Sequence, residues 1–149
     1  MNDRLKFRLV VKQGVEWRIY DVLNILFKQD GTIWVQTIRE SESATFTAWW
    51  LVDGVNAILD QCTGLKDRSG NLIYDRDVLR DKFRPYDLYV AWDNFRCCFV
   101  LKRFDIEGWQ IRLDSDMRAK FEIIGNVHEM KEENEETAIF QTEEKSEVE

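Results

Sequence analysis

At 149 residues, 44% of them hydrophobic and six of them tryptophan, the chain is long enough to bury a core and too apolar to be disordered throughout. Its formal charge of −7 is unevenly spread: Lys131 to Glu149 holds eight glutamates and two lysines, a charge of −6, which leaves −1 for residues 1–130. A near-neutral body with an acidic end lacks the electrostatic footprint of a nucleic-acid binder, so nucleic acid is not an expected partner.

The opening, MNDRLKFRLVV, is charged throughout and has no apolar stretch of signal-peptide length, and no window reaches the length of a membrane span. Leu5 to Val11 reads as a strand, followed by a turn at Gln13-Gly14. Val15 to Phe27 is ambiguous, because Ile19, Leu23, Leu26 and Phe27 fall at helical spacing while the segment runs into a hairpin signal. That hairpin joins Asn24–Lys28 to the β-rich Thr32–Ile38 through Asp30-Gly31. Arg39 to Ser43 reads as a loop, and Thr45 to Val52 as a strand ended by Asp53-Gly54, with Val55 to Cys62 following. Leu88–Asp93 and Arg96–Arg103 form a second hairpin turning at Asp93-Asn94. Trp109–Leu113 is a further strand, Asp114–Lys120 one helical turn, and Phe121–His128 the last strand.

Short strands closely punctuated by turns predict an all-β fold, a single barrel-like or rolled-sheet domain over residues 1–130 with little helix. From residue 131 the glutamates repel one another and few apolar residues offset the ordering entropy, which predicts a flexible acidic tail. Within that tail Ala138-Ile139-Phe140 reads as a short docking peptide or as part of a solubilising segment. Cys62, Cys97 and Cys98 show neither CxxC nor zinc spacing, consistent with reduced thiols in the cytoplasm of a cell.

The most distinctive stretch is Thr63 to Arg80, TGLKDRSGNLIYDRDVLR. A turn at Lys66–Gly70 separates two β-prone segments, the second of which runs into Asp75-Arg76-Asp77. This block resembles the signature of the YopX family of phage and prophage proteins, whose usual pattern is close to TGLKDKNGKEIYEGDIVK. Lys6-Phe7-Arg8 resembles the family's KFR opening, and Phe121 to Glu129, FEIIGNVHE, resembles its closing EVIGNIYEN. Tyr89-Val90-Ala91-Trp92-Asp93 stands where members often carry a strand ending in Trp-Asp. The resemblance implies a β-rich fold whose subunits assemble, in a phage or prophage setting, with no catalytic residues to carry over. One departure is Arg76, which replaces the glycine of Glu-Gly-Asp. Glycine there suggests a bend or a positive φ, so either the turn is built differently or Arg76 has a purpose.

Residue by residue, Asp67 is explained as a turn former bonding its own backbone, and Asp75 and Asp77 as ion-pair members rather than metal ligands. No nucleophile, zinc or phosphate-loop motif is present, so neither catalysis nor a metal or cofactor is expected. Arg76, Arg80, Lys82 and Arg84, flanked by Tyr74, Phe83 and Tyr86, have the chemistry to hold phosphates and stack a base, though Asp77 and Asp81 interrupt them. Trp34 and Trp92 are expected in the core. Trp49 and Trp50 are adjacent, so one of them faces outward on a strand and can anchor an interface. The combined expectation is a non-catalytic phage or prophage accessory protein that self-associates and binds a host or phage protein. In it, Trp49 or Trp50 is the apolar anchor and Arg76, Arg80 and Arg84 set orientation. The alternative is a binder of a nucleotide signal, with Tyr74 and the arginines lining a pocket between subunits.

Overall fold

A computed structural model describes residues 6–40, 43–115 and 120–130, leaving out the side chains of residues 39 and 40. The predicted acidic tail, its Ala138-Ile139-Phe140 segment and most of the helical turn expected at Asp114–Lys120 lie outside the described residues. The fold is almost entirely β, as expected, but the strands form two open antiparallel sheets instead of closing into a barrel. Among the described residues each sheet ends in strands paired on one side only, and two of these, of three residues each, are too short to close a ring.

The chain divides into two compact units. The first consists of the chain up to Lys66 together with Leu72–Asp75, and the second of Asp67–Asn71 together with the chain from Arg76 onward. All three passages between units therefore fall inside Thr63–Arg80, the stretch that carries the strongest sequence signal. Among the described residues, no helix is long and apolar enough to cross a membrane.

The first unit holds β1 (Phe7–Gln13), β2 (Glu16–Phe27), β3 (Ile33–Glu40), β4 (Thr45–Leu51), β5 (Ala57–Lys66) and β6 (Leu72–Tyr74), in the spatial order β4-β3-β2-β1-β5-β6. One face carries a core of Leu9, Val11, Val35 and Ala57, with Tyr20, Val22, Ile25, Ile33 and Trp50 packed against it. At β1 and β5 the opposite face is buried too, and there Arg8 lies beside Asp60. Two guanidinium nitrogens of Arg8 donate to Asp60 Oδ2 at 3.2 and 3.3 Å, and Nη2 also donates to the Asp75 carbonyl at 3.3 Å. Beyond Val52, Asp53 Oδ1 accepts the backbone N–H groups of Val55, Asn56 and Ala57, and these bonds hold its carboxyl below the usual range.

The ambiguous Val15–Phe27 segment is one 12-residue strand, and its helical look has a cause. The β2–β3 register shifts between Val22 and Asn24, so Leu23 is an extra, bulged residue. The bulge inverts the alternation, and Ile19 and Leu26, seven residues apart, end on the same face of the sheet. Seven residues is also two helical turns, hence the confusion.

The second unit holds β7 (Asp77–Asp81), β8 (Leu88–Asp93), β9 (Cys98–Arg103), β10 (Gln110–Arg112) and β11 (Phe121–Asn126), in the order β10-β9-β8-β7-β11. Val78, Leu79, Leu88, Val90, Val100, Leu101 and Phe121 are its buried side chains of most consequence. The β7–β11 ladder shifts register between Ile123 and Gly125, and after β11 residues 127–130 make one helical turn where the last strand was expected to continue to His128. Cys97 lies in the β8–β9 turn, not on a strand, and is exposed.

Arg76 keeps the left-handed conformation that the family glycine implies, with φ of 67°. Its N–H donates to the Val90 carbonyl at 2.9 Å, and its carbonyl accepts the N–H of Val127 at 2.8 Å, so both peptide groups are fixed from outside the turn. A Cβ in that conformation costs about 1–2 kcal/mol.

Two measurements test this account. Asp60→Ala leaves a buried guanidinium without its carboxylate and is expected to lower stability by about 3–5 kcal/mol, seen as a lower urea midpoint. The double replacement Arg8→Met with Asp60→Leu is expected to recover most of that loss. Arg76→Gly is expected to raise stability by about 0.5–1 kcal/mol, since relief of the left-handed strain outweighs the added freedom of the unfolded chain. A loss of stability on Arg76→Gly would show instead that contacts of the arginine side chain outweigh the strain.

Candidate functional site

The outer face of β2, β3 and β4 is an exposed apolar surface of the first unit. Period-two alternation and the pairing register dictate its layout. Leu26, Trp34 and Leu51 stand side by side across the three strands, and Asn24, Gln36 and Trp49 form the next row. Ile38 follows opposite Thr47. Leu26, Ile38, Trp49 and Leu51 are each 42–47% exposed, as is the bulged Leu23 at 46%. Together these side chains present on the order of 400 Å² of apolar surface, the size at which such a patch on a monomer often marks an interaction site. Asn24 donates to Gln36 Oε1 at 2.7 Å, an amide pair set among the apolar groups, and Lys28 Nζ lies 4.8 Å over the Trp34 ring at the border.

The adjacent tryptophans divide as neighbours on a strand must. Trp49 points outward on this face, whereas Trp50 turns inward, stacks on Tyr20 at 5.6 Å and donates its indole N–H to Thr37 Oγ1 at 2.9 Å. Trp34 and Trp92, expected in the core, are instead half-buried and 41% exposed respectively. Trp34 pairs with Leu26 and Leu51 on the outer face, and Trp92 rests edge-on against Phe99.

The predicted basic set is distributed differently. Arg80 is exposed on β7 and grips Asp87 through two hydrogen bonds of 3.0 and 3.2 Å, which raise its pKa. Asp81, the next residue, is buried and holds Arg84 at 3.4 Å, with the guanidinium 5.8 Å from the Phe121 ring. Consecutive strand residues face opposite ways, so Arg80 and Arg84 are held on different sides of β7. Arg76 forms the turn before that strand, and Tyr74 belongs to the first unit with the Arg8 guanidinium 4.9 Å over its ring. Burial raises the Tyr74 pKa.

Two features escaped sequence reasoning. Tyr74 lines a cleft of 690 Å³ together with Lys6, Phe7, Asp21, Leu23 and Leu72. In the second unit, Arg103 is stacked 3.7 Å from the Tyr86 ring and 5.8 Å from that of Trp109, and it also binds Asp105, which raises its pKa. A guanidinium from the same unit thereby covers one face of the Tyr86 ring. The outer apolar face had a sequence signal: β4, TFTAWWL, and residues 33–35, IWV, place large apolar groups on both parities. Among the described residues, no three side chains able to hold a metal ion gather in one place.

Comparison with known proteins bears on the fold and the family. A search of curated proteins finds no match. Among solved structures, the crystal structure of protein EF1440 from Enterococcus faecalis is similar, with a TM-score of 0.52 and 23% identity. The likeness covers 83% of this chain and 93% of that one, and it establishes a shared fold. The family described as YopX protein matches residues 6–132, which takes in all three sequence blocks and both sheets: the chain belongs to the YopX family.

Proposed function

We propose that the protein is a non-catalytic phage or prophage accessory factor that acts in the bacterial cytoplasm, self-associates, and blocks a host or phage protein by covering part of its surface. A component of anti-phage defence is the kind of target this occlusion suits. The observation that carries the reading is the exposed row Leu26–Trp34–Leu51 with Trp49 and Ile38 beside it. Large side chains on a rigid sheet lose little freedom on binding, and an outward tryptophan in an apolar surround has the character of an interface hot spot. The polar amide pair of Asn24 and Gln36 within the patch supplies direction, because a partner must meet its remaining hydrogen-bonding groups.

The nucleotide-signal alternative has less behind it. Phosphate binding needs convergent cationic groups, and Arg80 and Arg84 already hold carboxylates on opposite sides of one strand.

Affinity capture from a phage-infected bacterial lysate tests the reading when coupled to substitution. The partner is expected to stay bound as salt rises, and to be lost on Leu26→Glu. Trp49→Ala is expected to weaken binding of the identified partner about 30-fold, the loss of a hot spot, with an unchanged melting temperature. Binding that resists both changes but disappears on Arg80→Ala and Arg84→Ala would overturn the apolar-face reading in favour of the charged one.

A further inference from the structure

The backbone of β4 adds a second, independent property to this end of the sheet. Val52 donates its N–H to the Ile33 carbonyl at 2.9 Å, which identifies Ile33 and Val52 as a hydrogen-bonded pair. Hydrogen-bonded and non-bonded pairs alternate along an antiparallel ladder. Trp50 and Ala48 therefore direct their backbone groups to β3, whereas Thr45, Thr47, Trp49 and Leu51 direct theirs away from it. Among the described residues β4 is the terminal strand of its sheet. Sheet edges are ordinarily protected by charge, proline or a bulge. The sequence TFTAWWL has no charge and no proline, and its register with β3 is continuous over all seven residues.

We infer that β4 pairs antiparallel with β4 of a second copy of this chain, about a two-fold axis at Ala48. This inference rests on the self-associating part of the function proposed above and assigns it a surface. Ala48 is the midpoint of the seven-residue strand, so an axis there pairs the full length. Thr47 then exchanges hydrogen bonds with Trp49 of the second copy, and Thr45 with Leu51, and every outward backbone group finds a partner. That makes about eight backbone hydrogen bonds in all, two for each bonded pair. The pair on the axis is non-bonded, where the chains approach closest, and an alanine methyl fits that spacing. An axis at Trp49 would leave Thr45 without a bond and set two indoles side by side. Charge does not oppose the contact, since β4 contributes none. The joined sheets also merge the two outer apolar faces into one surface across the axis.

The test uses the full chain with Cys97→Ser and Cys98→Ser, which leaves only the buried Cys62 thiol. Ala48→Cys is expected to form a disulfide-linked dimer under mild copper-phenanthroline oxidation. Thr45→Cys is not, because its symmetry mate lies about 20 Å away, six residues along the strand. In sedimentation at tens of micromolar the unsubstituted chain is expected to be dimeric. Thr47→Pro removes an outward N–H and no bond to β3, and it is expected to give a monomer, while Thr47→Val stays dimeric. If Thr47→Pro does not fold, Thr47→Glu serves in its place, setting a carboxylate against the second copy's indole, and is likewise expected to give a monomer. A monomeric unsubstituted chain would overturn both self-association and the β4 assignment. A dimer that survives Thr47→Pro or Thr47→Glu and gives no Ala48→Cys cross-link would overturn the β4 assignment alone. Capture of a host or phage protein is read separately and bears on neither result.

Discussion

The second unit is organised around one buried carboxylate. Asp67 is only 5% exposed and uses both of its oxygens on backbone donors. Oδ1 accepts the N–H groups of Ser69 and Asn71 at 3.0 and 2.9 Å, which closes the turn, and Oδ2 accepts the N–H of Ile123 at 3.2 Å. The next residue continues the attachment: the Arg68 N–H donates to the Phe121 carbonyl, and its side chain pairs with Glu122. A short loop is thus fixed to the first residues of β11, just before the register shift that ends at Gly125. Charge-assisted bonds of this kind contribute about 1.5–3 kcal/mol each, and removing the buried acceptor releases three backbone donors at once. The same β11 pairs with β7 along its length and returns at Val127 to bind the Arg76 carbonyl. Asp67 and Arg76 therefore act as two ends of one clamp on β11.

This arrangement explains what the residues disclosed and what they concealed. The blocks Thr63–Arg80 and Phe121–Glu129, far apart in sequence, are the two halves of that clamp. Their side chains are engaged in turns, bulges and ladder ends, which demand particular residues and so leave a recognisable pattern. Family and fold class were legible for that reason. Activity was not, because a pattern made of joints describes how a chain is folded and says little about what it binds. Arg76 shows the same division: the left-handed backbone could be anticipated from the glycine it replaces, whereas the use of its side chain could not. Sheet closure failed for a different reason. Strand existence is local, but whether the outer strands meet depends on the ends of the chain's longest-range pairings, which alternation does not encode.

The candidate surface was half legible. An adjacent tryptophan pair on a strand must split between faces, and Trp49 and Trp50 do. The other members could not be gathered from sequence, since Leu26 joins Trp34 and Leu51 only through the bulge at Leu23, which changes the face of everything after it. Without that extra residue Leu26 would point toward the core side and Ile25 outward. One inserted residue thus decides which side chains form the exposed row. Basic residues misled in the opposite direction. Arg76, Arg80 and Arg84 are close in sequence and share a parity, yet only Arg80 lies on β7, where Asp87 holds it; Arg84 follows the strand and is held by Asp81 on the opposite side, and Arg76 forms the turn before it.

The contrast between the two ends of the first sheet bears most directly on function. At β1 both faces are buried, and even the charged pair of Arg8 and Asp60 is enclosed and matched. Toward β4 burial becomes one-sided, and aromatic and branched residues persist on the face that is left open. An apolar face raises the free energy of the isolated chain in water and is also an aggregation hazard beside an uncharged edge. Pairing such an edge with its own copy removes the template for uncontrolled strand addition, because a two-fold contact is closed and cannot propagate. It leaves the outer face open while doubling its extent, and two copies of one weak contact on a rigid platform hold a repetitive or dimeric target far better than either copy alone. Under the proposed function, an uncharged edge beside an uncovered apolar face is coherent as one device, in which the edge would set the geometry of the assembly and the face would supply its grip.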